Sequence, residues 1–509
     1  MSLFHTLLYI KPVKETAMKG HGFWLPDYLR ERWRSSSKKN DEAISVSLPE
    51  EWTIVDGQVV DLQKLSRDHP GGKAALDQTR SQDSTVLFHT VHSVSNEKAV
   101  QQLLQSCSAG LIKDFPEAVA EMQGKHCIDF DWGQQLSEFA VDLRRSVRGY
   151  FSNLAKKKGI SFRAASKATV GKWALVAVLL SSYLLSAVFY LSGSILAMFF
   201  LPIPSSLLAF HTFHDASHGA LSTKSWVNEL FTYCSPFLEV PHEWRWQHVI
   251  GHHAFTNIAD LDPDSKHSRR WVSGDPAKRW RADLSVILGV WSIAVPMGLQ
   301  MIASFRYFFS EAPTPSATSV AFLVVHRLLF WIFPLFKFGF FWGAIRVIVP
   351  NVIFSIIFML NTQLSHLSEH TGGEKEQEHS KCWYLHQIHT TVDIAPDSFV
   401  AWFTSGGLNL QVVHHCFPTV NHSHLPAVRR IVEDVCCRHG VEIKALPSYT
   451  AAFDAHVSLL ASGHDQAPSQ ATLDGTGSAE SMHAASQDIN SSSSPSRRHQ
   501  TASALREDS

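Results

Sequence analysis

The strongest constraint on the fold is an apolar block, residues 173–210, that contains no charged side chain. A bilayer core requires roughly 20 apolar residues for each helical span, so the block predicts two membrane spans, at about 173–191 and 193–211. The alternative is one long helix buried in a soluble core. Basic side chains are frequent in residues 156–172, and they predict that this end of the hairpin faces the cytoplasm.

A second apolar region contains three further candidate segments, at about 284–303, 320–336 and 339–360. The later two are interrupted by His326, Arg327 and Arg346. Because a charge at the bilayer centre is costly, one segment is expected to lie in the membrane interface instead of crossing. If the motifs on both sides of this region face one compartment, two of the three segments cross, and the sequence leaves open which two.

Composition divides the chain into five parts. They are a loose leader at 1–45, a small soluble domain at 46–113, a mixed helical linker at 114–172, a membrane domain at 173–460 and a disordered tail at 461–509. We expect a multi-domain fold, in which a small α+β domain precedes an all-α integral membrane domain of about four transmembrane helices. The net charge of −1 gives no indication of a nucleic-acid partner. The 7 cysteines include no CxxC pair, which favours a reducing compartment.

The soluble domain carries a pattern typical of a haem pocket. It opens with a strand-like run, WTIVDGQVVDL, that turns at the DG pair. His69 begins a His-Pro-Gly-Gly turn, which lets the backbone lie close to a flat ligand. His92 follows in DSTVLFHTVHS, with Phe88 one helical turn before it. Two histidines at separate helix ends suit the axial bonds of a haem iron, and the whole set resembles cytochrome b5 over residues 46–113.

This resemblance implies haem b as a cofactor, with His69 and His92 as the axial ligands. His89 is a rival for the second position, but the cytochrome b5 pattern favours His92. Residues 83–85 read Asp-Ser-Thr where that family usually has Asp-Ala-Thr. Because the protein fills both axial positions, the haem is expected to carry single electrons and not to bind substrate. Another part of the chain must then use those electrons.

Three histidine groups lie in the membrane part of the chain. They are HTFHDASH at 211–218, HVIGHH at 248–253 and QVVHH at 411–415. In HTFHDASH, His214 and His218 are four residues apart and so share one helix face, on which His211 also lies. In HVIGHH, His248 and His252 share a face for the same reason.

The remaining histidines suggest a centre with two ions. His253 lies about 100° round the helix from His252, and His414 and His415 are related in the same way, so adjacent histidines can serve different ions. Imidazole suits iron, zinc and copper, and about eight imidazoles exceed the coordination shell of one ion. Zinc is possible by residue type, but a redox-inert ion has no use for the electrons of a fused haem. Iron acting with oxygen fits both halves of the chain.

The three groups resemble the histidine boxes of membrane fatty acid desaturases. A fused N-terminal cytochrome b5 domain and a Gln that opens the third box, here Gln411, are typical of front-end desaturases. The resemblance extends through HHAFTNIADLDPDS at 252–265, HQIHTTVD at 386–393 and SGGLNLQVVHHCFP at 405–418, and it covers about residues 46–460. Leu410 and Cys416 depart from the aromatic residue and the Leu that are common there, and neither is a proposed ligand.

The resemblance implies further site residues. His366, in NTQLSHLSEH, is the candidate for an additional metal ligand, and His370 is a weaker rival. Asp215 and the Asp262-Pro263-Asp264 turn are expected to hold ligands through hydrogen bonds, although ordinary capping is an equal alternative for the turn. The amide carbonyl of Gln411 can bind metal weakly, or hold a water or a neighbouring imidazole.

The complete predicted site combines these assignments. The predicted catalytic residues are His214, His218, His248, His252, His253, Gln411, His414 and His415. The predicted ligands of two non-haem iron ions are the same histidines together with His366.

The resemblance also implies the reaction. Front-end desaturases remove two hydrogens from adjacent methylenes and insert a cis double bond between an existing one and the carboxyl end. Those C–H bonds are unactivated, so acid–base side chains do not suffice and an oxidant made from O2 is needed. The implied partners are a fatty acyl lipid or acyl-CoA substrate, O2, the lipid bilayer and a separate NADH-cytochrome b5 reductase. The implied location is the endoplasmic reticulum membrane, with the haem domain and histidine boxes facing the cytoplasm.

Other functions remain open at this level. A sphingolipid long-chain-base desaturase or an acyl hydroxylase would keep the same iron centre. A non-catalytic, membrane-anchored electron carrier would keep the haem and use the histidines structurally. The sequence does not distinguish the chain length of the substrate, its head group or the carbon attacked.

Overall fold

The computed structural model describes residues 48–122, 130–234, 237, 241–258, 261–264, 317–371 and 381–462. The predicted leader, the tail beyond Ser462 and the candidate segment at 284–303 lie outside the described residues.

The N-terminal domain is built on a small antiparallel sheet with strands in the order β1-β2-β3. Its elements are β1 (Trp52–Val55), β2 (Gln58–Asp61), α1 (Leu62–Asp68), α2 (Lys73–Asp77), α3 (Thr85–Val91), α4 (Glu97–Cys107), β3 (Ser108–Leu111) and α5 (Pro116–Met122). The β1–β2 hairpin turns at Asp56 and Gly57, with φ of 50° and 73°. Two positive φ values in a two-residue turn match the twist of paired strands, so the predicted DG turn is confirmed.

The linker contains a long helix, α6 (Glu138–Lys158), followed by the short helix α7 (Phe162–Ala165). Phe139, Leu143, Val147 and Phe151 are fully or nearly fully buried, and their spacing of four residues places them along one side of the helix. They belong to a hydrophobic core shared with the C-terminal helix of residues 425–439. The linker is therefore part of the folded core.

Among the residues that the structure describes, four helices are long and apolar enough to cross a membrane. They are α8 (Val170–Ser192), α9 (Ile195–Ser217), α12 (Ala317–Phe338) and α13 (Phe340–Thr362). Helix α8 ends where Gly193 adopts a φ of 113°, which excludes one continuous helix and confirms the predicted hairpin. Helix α9 continues past the predicted end at residue 211, because a π-helical segment, Ala209–His214, joins it to the following turn.

The charged side chain within the fourth span is satisfied by the first hairpin. Arg346 donates to the backbone carbonyls of Ser194 and Gly193, and its guanidinium lies 4.2 Å from the centre of the Phe338 ring. The hydroxyl of Tyr190 donates to the Arg346 carbonyl at 2.8 Å. A charge that fills orphan carbonyls in this way no longer argues against a membrane span.

Helices α12 and α13 are held together by a close backbone contact at Gly343. A Cβ at this position would lie 2.5 Å from Leu335 Cα and 2.6 Å from Pro334 O. We expect Gly343→Ala to lower the free energy of unfolding by about 1–3 kcal/mol, because the two helices must separate to admit the methyl group. Thermal unfolding in detergent measures the change.

The matched control is Gly149→Ala in α6, where an added Cβ meets nothing within 4 Å. Because alanine has the higher helix propensity, the control should raise the free energy of unfolding by up to about 1 kcal/mol. A Gly343→Ala protein that melts at or above the wild-type temperature would contradict the close contact.

The remaining elements form a cap on the span ends. They are α10 (Ser225–Phe231), α11 (residues 241–255), α14 (Trp383–His389), β4 (Asp393–Ile394), α15 (Phe399–Ser405), α16 (Gln411–Cys416), α17 (Leu425–His439), β5 (Ala445–Leu446) and α18 (Tyr449–Ser462). Strands β4 and β5 pair in parallel. The end of α9, helix α11 and helix α16 meet inside this cap, which brings the three histidine groups together.

Candidate metal centre and haem site

Two of the helices that carry histidines contain π-helical segments, Ala209–His214 in α9 and Arg245–His252 in α11. A π-helix bonds residues five apart, so His248 and His253 come to one face. Their Nε2 atoms lie 3.2 Å apart. The predicted proximity of His248 and His252 is found, with ring centroids 5.3 Å apart, but their Nε2 atoms point into different groups.

The first histidine group joins three separate parts of the chain. It consists of His214, His218, His248, His253 and His414, all buried. The Nε2 atom of His214 lies 2.8 Å from that of His248, and the Nε2 atom of His414 lies 3.2 Å from that of His253. His218 packs against the same rings, with its centroid 4.4 Å from that of His253. One potential ligand atom from each of the five residues lies within 4.8 Å of all the others.

The second histidine group contains His252, His366 and His415, also buried. The Nε2 atoms of His252 and His366 lie 3.3 Å apart. The centroid of His415 lies 4.6 Å from that of His366. Thus the adjacent pairs 252–253 and 414–415 each divide between the two groups. His370, the weaker rival to His366, is half-exposed and lies next to Glu369 instead.

The second group is oriented by hydrogen bonds to the other ring nitrogens. His252 Nδ1 donates to Asp262 Oδ1 at 3.0 Å, while Asp262 Oδ2 accepts from the Asn257 backbone at 2.7 Å. The carboxylate therefore both holds a histidine and caps the backbone. His415 Nδ1 donates to Gln387 Oε1 at 2.9 Å, which leaves its Nε2 free to face the group.

Gln387 was not identified from the sequence, although it lies in the quoted stretch HQIHTTVD. Its amide nitrogen donates to the carbonyl of His253 at 3.2 Å, so one side chain supports a histidine from each group. Its neighbour Thr256 Oγ1 lies 2.8 Å from Gln387 Oε1. The signal that could have found it is a lone amide side chain between His386 and His389 on the same short helix.

Two sequence predictions about α9 need correction. His211 does not join the first group, because its Nδ1 accepts from Lys172 Nζ at 2.9 Å and its Nε2 donates to the Phe403 carbonyl at 2.8 Å. The π-helical turn rotates His211 away from His214. Asp215 does not hold any histidine of the two groups. It forms a fully buried ion pair with Lys172 at 3.0 Å and lies 3.3 Å from His422 Nε2.

Gln411 is buried at the start of α16, and its Oε1 has no hydrogen-bond partner among the described residues. It lies four residues before His415, so the two side chains share a helix face. A buried amide oxygen without a partner costs free energy. Gln411 therefore offers an acceptor without a partner among the described residues, on the helix that carries His414 and His415.

Burial sets the protonation state of the ligand candidates. Desolvation, together with the neighbouring imidazoles, holds the pKa values of His253, His414 and His415 well below the ordinary value. For His252 the carboxylates of Asp262 and Asp264 outweigh desolvation and raise the pKa. Neutral imidazole is the form that binds a metal ion, so most of the group is ready to bind without losing protons.

The two groups fit metal ions better than they fit hydrogen bonds among themselves. Two nitrogens bound to one ion at about 2.1 Å and at right angles lie about 3 Å apart, close to the distances between the paired Nε2 atoms. Both ring nitrogens of His218, and the Nε2 of His415, lack a partner among the described residues. An all-imidazole donor set suits iron, zinc or copper.

The N-terminal domain places His69 and His92 opposite each other, with ring centroids 6.1 Å apart. Two axial bonds of about 2 Å plus the ring radii give about 6 Å. His92 Nδ1 donates to the Phe88 carbonyl at 2.7 Å, so Nε2 is the nitrogen available to iron. Desolvation lowers the pKa of His92 to about 4, which keeps it neutral. His89 instead bonds to Asp56 at 2.8 Å and faces away.

A family model described as Fatty acid desaturase matches residues 185–447. The chain belongs to the fatty acid desaturase family. A second model, Cytochrome b5-like Heme/Steroid binding domain, matches residues 37–113 of this desaturase. The predicted fold class is confirmed. The enzyme is an oxidoreductase of the desaturase class, and the alternative hypothesis of a non-catalytic electron carrier is therefore wrong.

Curated relatives match most of this desaturase. Probable Delta(5) fatty acid desaturase C from Dictyostelium discoideum is 27% identical, over 84% of this chain and 94% of the relative. Acyl-lipid (8-3)-desaturase B of the same organism is 26% identical, over 80% and 90%. Fatty acid desaturase 3 from Homo sapiens is 26% identical, over 86% and 94%.

Proposed function

We propose that this desaturase inserts a cis double bond on the carboxyl side of an existing one in a polyunsaturated fatty acyl chain. The observation that carries the proposal is the pair of buried histidine groups beside a haem-type domain. One chain then carries both a domain that can deliver electrons and a centre that can use them. The relatives named Delta(5) fatty acid desaturase make carbon 5 the first position to test.

The two histidine groups are proposed to hold two non-haem iron ions. His214, His218, His248, His253 and His414 would hold one ion, and His252, His366 and His415 the other. When bound, the ions would supply the activation of O2 needed to break unactivated C–H bonds. Asp262 and Gln387 orient imidazoles through their Nδ1 atoms, which fixes the tautomer that offers Nε2.

Gln411 is proposed to complete the second group. This group has three imidazoles where the first has five. The Gln411 carbonyl oxygen is a neutral acceptor on the same helix face as His415, suited to binding an ion weakly or to holding a water there. It thereby makes the two halves of the centre chemically unequal.

The reaction consumes one O2, two electrons and two protons, and it takes two hydrogen atoms from the acyl chain to give two waters. The two electrons would reach the haem, held by His69 and His92, one at a time from NADH through a separate NADH-cytochrome b5 reductase. The proposed location is the endoplasmic reticulum membrane, with the haem domain and the histidine groups on the cytoplasmic side. An acyl lipid or acyl-CoA would enter from the bilayer.

Product analysis in a host that lacks polyunsaturated fatty acids tests the function. The host expressing this chain is fed single polyunsaturated acids, and the new double bond is located by mass spectrometry. A new cis bond between the carboxyl group and the first existing bond supports the proposal. A hydroxylated acid would instead indicate an acyl hydroxylase. An unsaturated long-chain base without an acyl product would indicate a sphingolipid long-chain-base desaturase.

Gln387→Leu should weaken iron binding about 10- to 100-fold, because His415 Nδ1 loses its shorter contact, to the Gln387 amide, and keeps only Thr256 Oγ1 at 3.2 Å, which holds the ring less firmly. Iron content after dialysis against a graded chelator series measures the affinity. Gln102→Leu, at an exposed glutamine of α4, is the matched control and should leave iron content unchanged. Equal chelator resistance in Gln387→Leu and wild type would contradict the role of Gln387.

A further inference from the structure

The haem-type domain packs directly on α11, the helix that carries His248, His252 and His253. Helix α3, whose last residue Val91 directly precedes His92, contacts the His253–Phe255 turn of α11. Val86 of α3 and Ala254 of α11 lie in one hydrophobic core. Ion pairs fix the same orientation, since Glu97 accepts from Arg148 at 2.8 Å and from Arg144 at 3.4 Å. The two predicted domains therefore form one packed body at this surface.

A continuous series of rings leads out of the haem site. The Phe88 ring centroid lies 4.7 Å from that of His92 and 5.1 Å from that of His89. The His89 ring stacks on Trp132, with centroids 4.5 Å apart and planes 9° from parallel. This is the closest and most parallel contact in the series.

The same series continues to the metal centre. Trp132 and Trp383 have ring centroids 6.0 Å apart. Trp383 is almost fully buried, and its indole N–H donates to the Ala254 carbonyl at 3.4 Å. Ala254 directly follows His253 of the first group. The Trp132 N–H has no hydrogen-bond partner among the described residues, so stacking and not hydrogen bonding orients this ring.

We propose that His89, Trp132 and Trp383 form an electron relay from the haem to the histidine centre. In each step one electron would pass from the haem held by His69 and His92, whose iron would go from ferrous to ferric, to the histidine centre, where one iron would go from ferric to ferrous. Two such steps supply the two electrons of one turnover. The rings are not consumed and exchange no protons.

The relay rests on the proposed function, and it explains an arrangement that this function does not require. Haem binding needs neither a ring stacked on His89 nor a buried indole that bridges to Ala254. Electronic coupling falls off less steeply through packed π-systems and a hydrogen bond than through empty gaps. The ring series also avoids the bilayer, since all of its members lie outside the four candidate spans.

Stopped-flow absorbance of the full-length, haem- and iron-loaded enzyme tests the relay. The haem is reduced first, then mixed with O2 and the acyl substrate identified by product analysis, and haem re-oxidation is followed. Trp132→Leu and His89→Leu should each slow re-oxidation about tenfold or more. Trp226→Leu, at an indole that is 63% exposed and outside the series, is the matched control and should stay at the wild-type rate.

Further measurements separate the relay from a structural role. The midpoint potential of the haem should be unchanged in all three variants. When haem and iron centre are both fully reduced by dithionite before O2 is added, each variant should form product in the first turnover as wild type does. If Trp132→Leu fails this test because its core is disturbed, His89→Leu decides alone, because the His89 side chain keeps 10% of its surface exposed and, among the described residues, hydrogen-bonds only to the exposed Asp56.

The outcomes distinguish the two proposals. The relay is overturned if the haem of His89→Leu is re-oxidised at the wild-type rate. The same rate in a Trp132→Leu enzyme that forms first-turnover product normally also overturns it. Absence of any product from the pre-reduced wild-type enzyme overturns the proposed function instead. Slow re-oxidation with normal first-turnover product supports the relay.

Discussion

Replacing His414 with alanine is expected to abolish desaturation while leaving the haem spectrum intact. His414 Nε2 lies 3.2 Å from His253 Nε2 within the group of five imidazoles. Loss of a residue that only orients a ligand costs about 10- to 100-fold, so loss of a ligand should cost at least about 100-fold. His366→Ala should have the same effect, because the second group has three imidazoles.

Product formation and metal analysis of the purified protein together measure this effect. The wild type should contain about two irons beyond the haem, and each variant should lose at least one. His439→Ala changes a more exposed histidine that pairs with Asp142, and it should keep both irons and full activity. Normal product from His414→Ala would remove this residue from the centre.

Replacing His92 with alanine should abolish haem binding and, with it, product formation in cells that lack free cytochrome b5. The ring lies opposite His69 with nothing else on α3 able to take its place, because His89 is turned toward Asp56. The haem iron would lose one of its two axial bonds. His69→Ala should behave in the same way.

Haem absorbance of the purified chain is the direct measurement, and His89→Ala is the control that separates the rival ligand. His89→Ala should retain the full haem spectrum. Added soluble cytochrome b5 should restore part of the activity of His92→Ala, since the histidine centre is intact. A His92→Ala protein with unchanged haem absorbance would refute the ligand assignment.

Local patterns were sufficient for the elements of the fold. The DG turn predicts the hairpin because its two positive φ values are a property of those residues alone. The uncharged block predicts two spans because hydrocarbon thickness sets helix length. No local pattern predicts how Arg346 is accommodated, because the carbonyls that accept its hydrogen bonds belong to a hairpin about 150 residues earlier in the chain.

The side-chain partners within the cap were harder to predict from the sequence. Spacing in the sequence predicts regular α-helices for the histidine groups, but the π-helical turns of α9 and α11 change which residues share a face. Asp215 was expected to support a ligand, yet it is buried against Lys172 from the start of the first span. The choice between these partners depends on how the helices pack, which residue spacing does not encode.

The sequence by itself determined the family, and residue type, spacing and the family resemblance predicted the two histidines of the haem site and the eight histidines that the structure brings together. Only the tertiary structure decided how these eight divide into groups of five and three. The division depends on one extra residue in a helical turn and on His366, which lies 114 positions from its partner His252. The relay through Trp132 and Trp383 is likewise visible only in space, because its rings come from three separate segments that no local pattern connects.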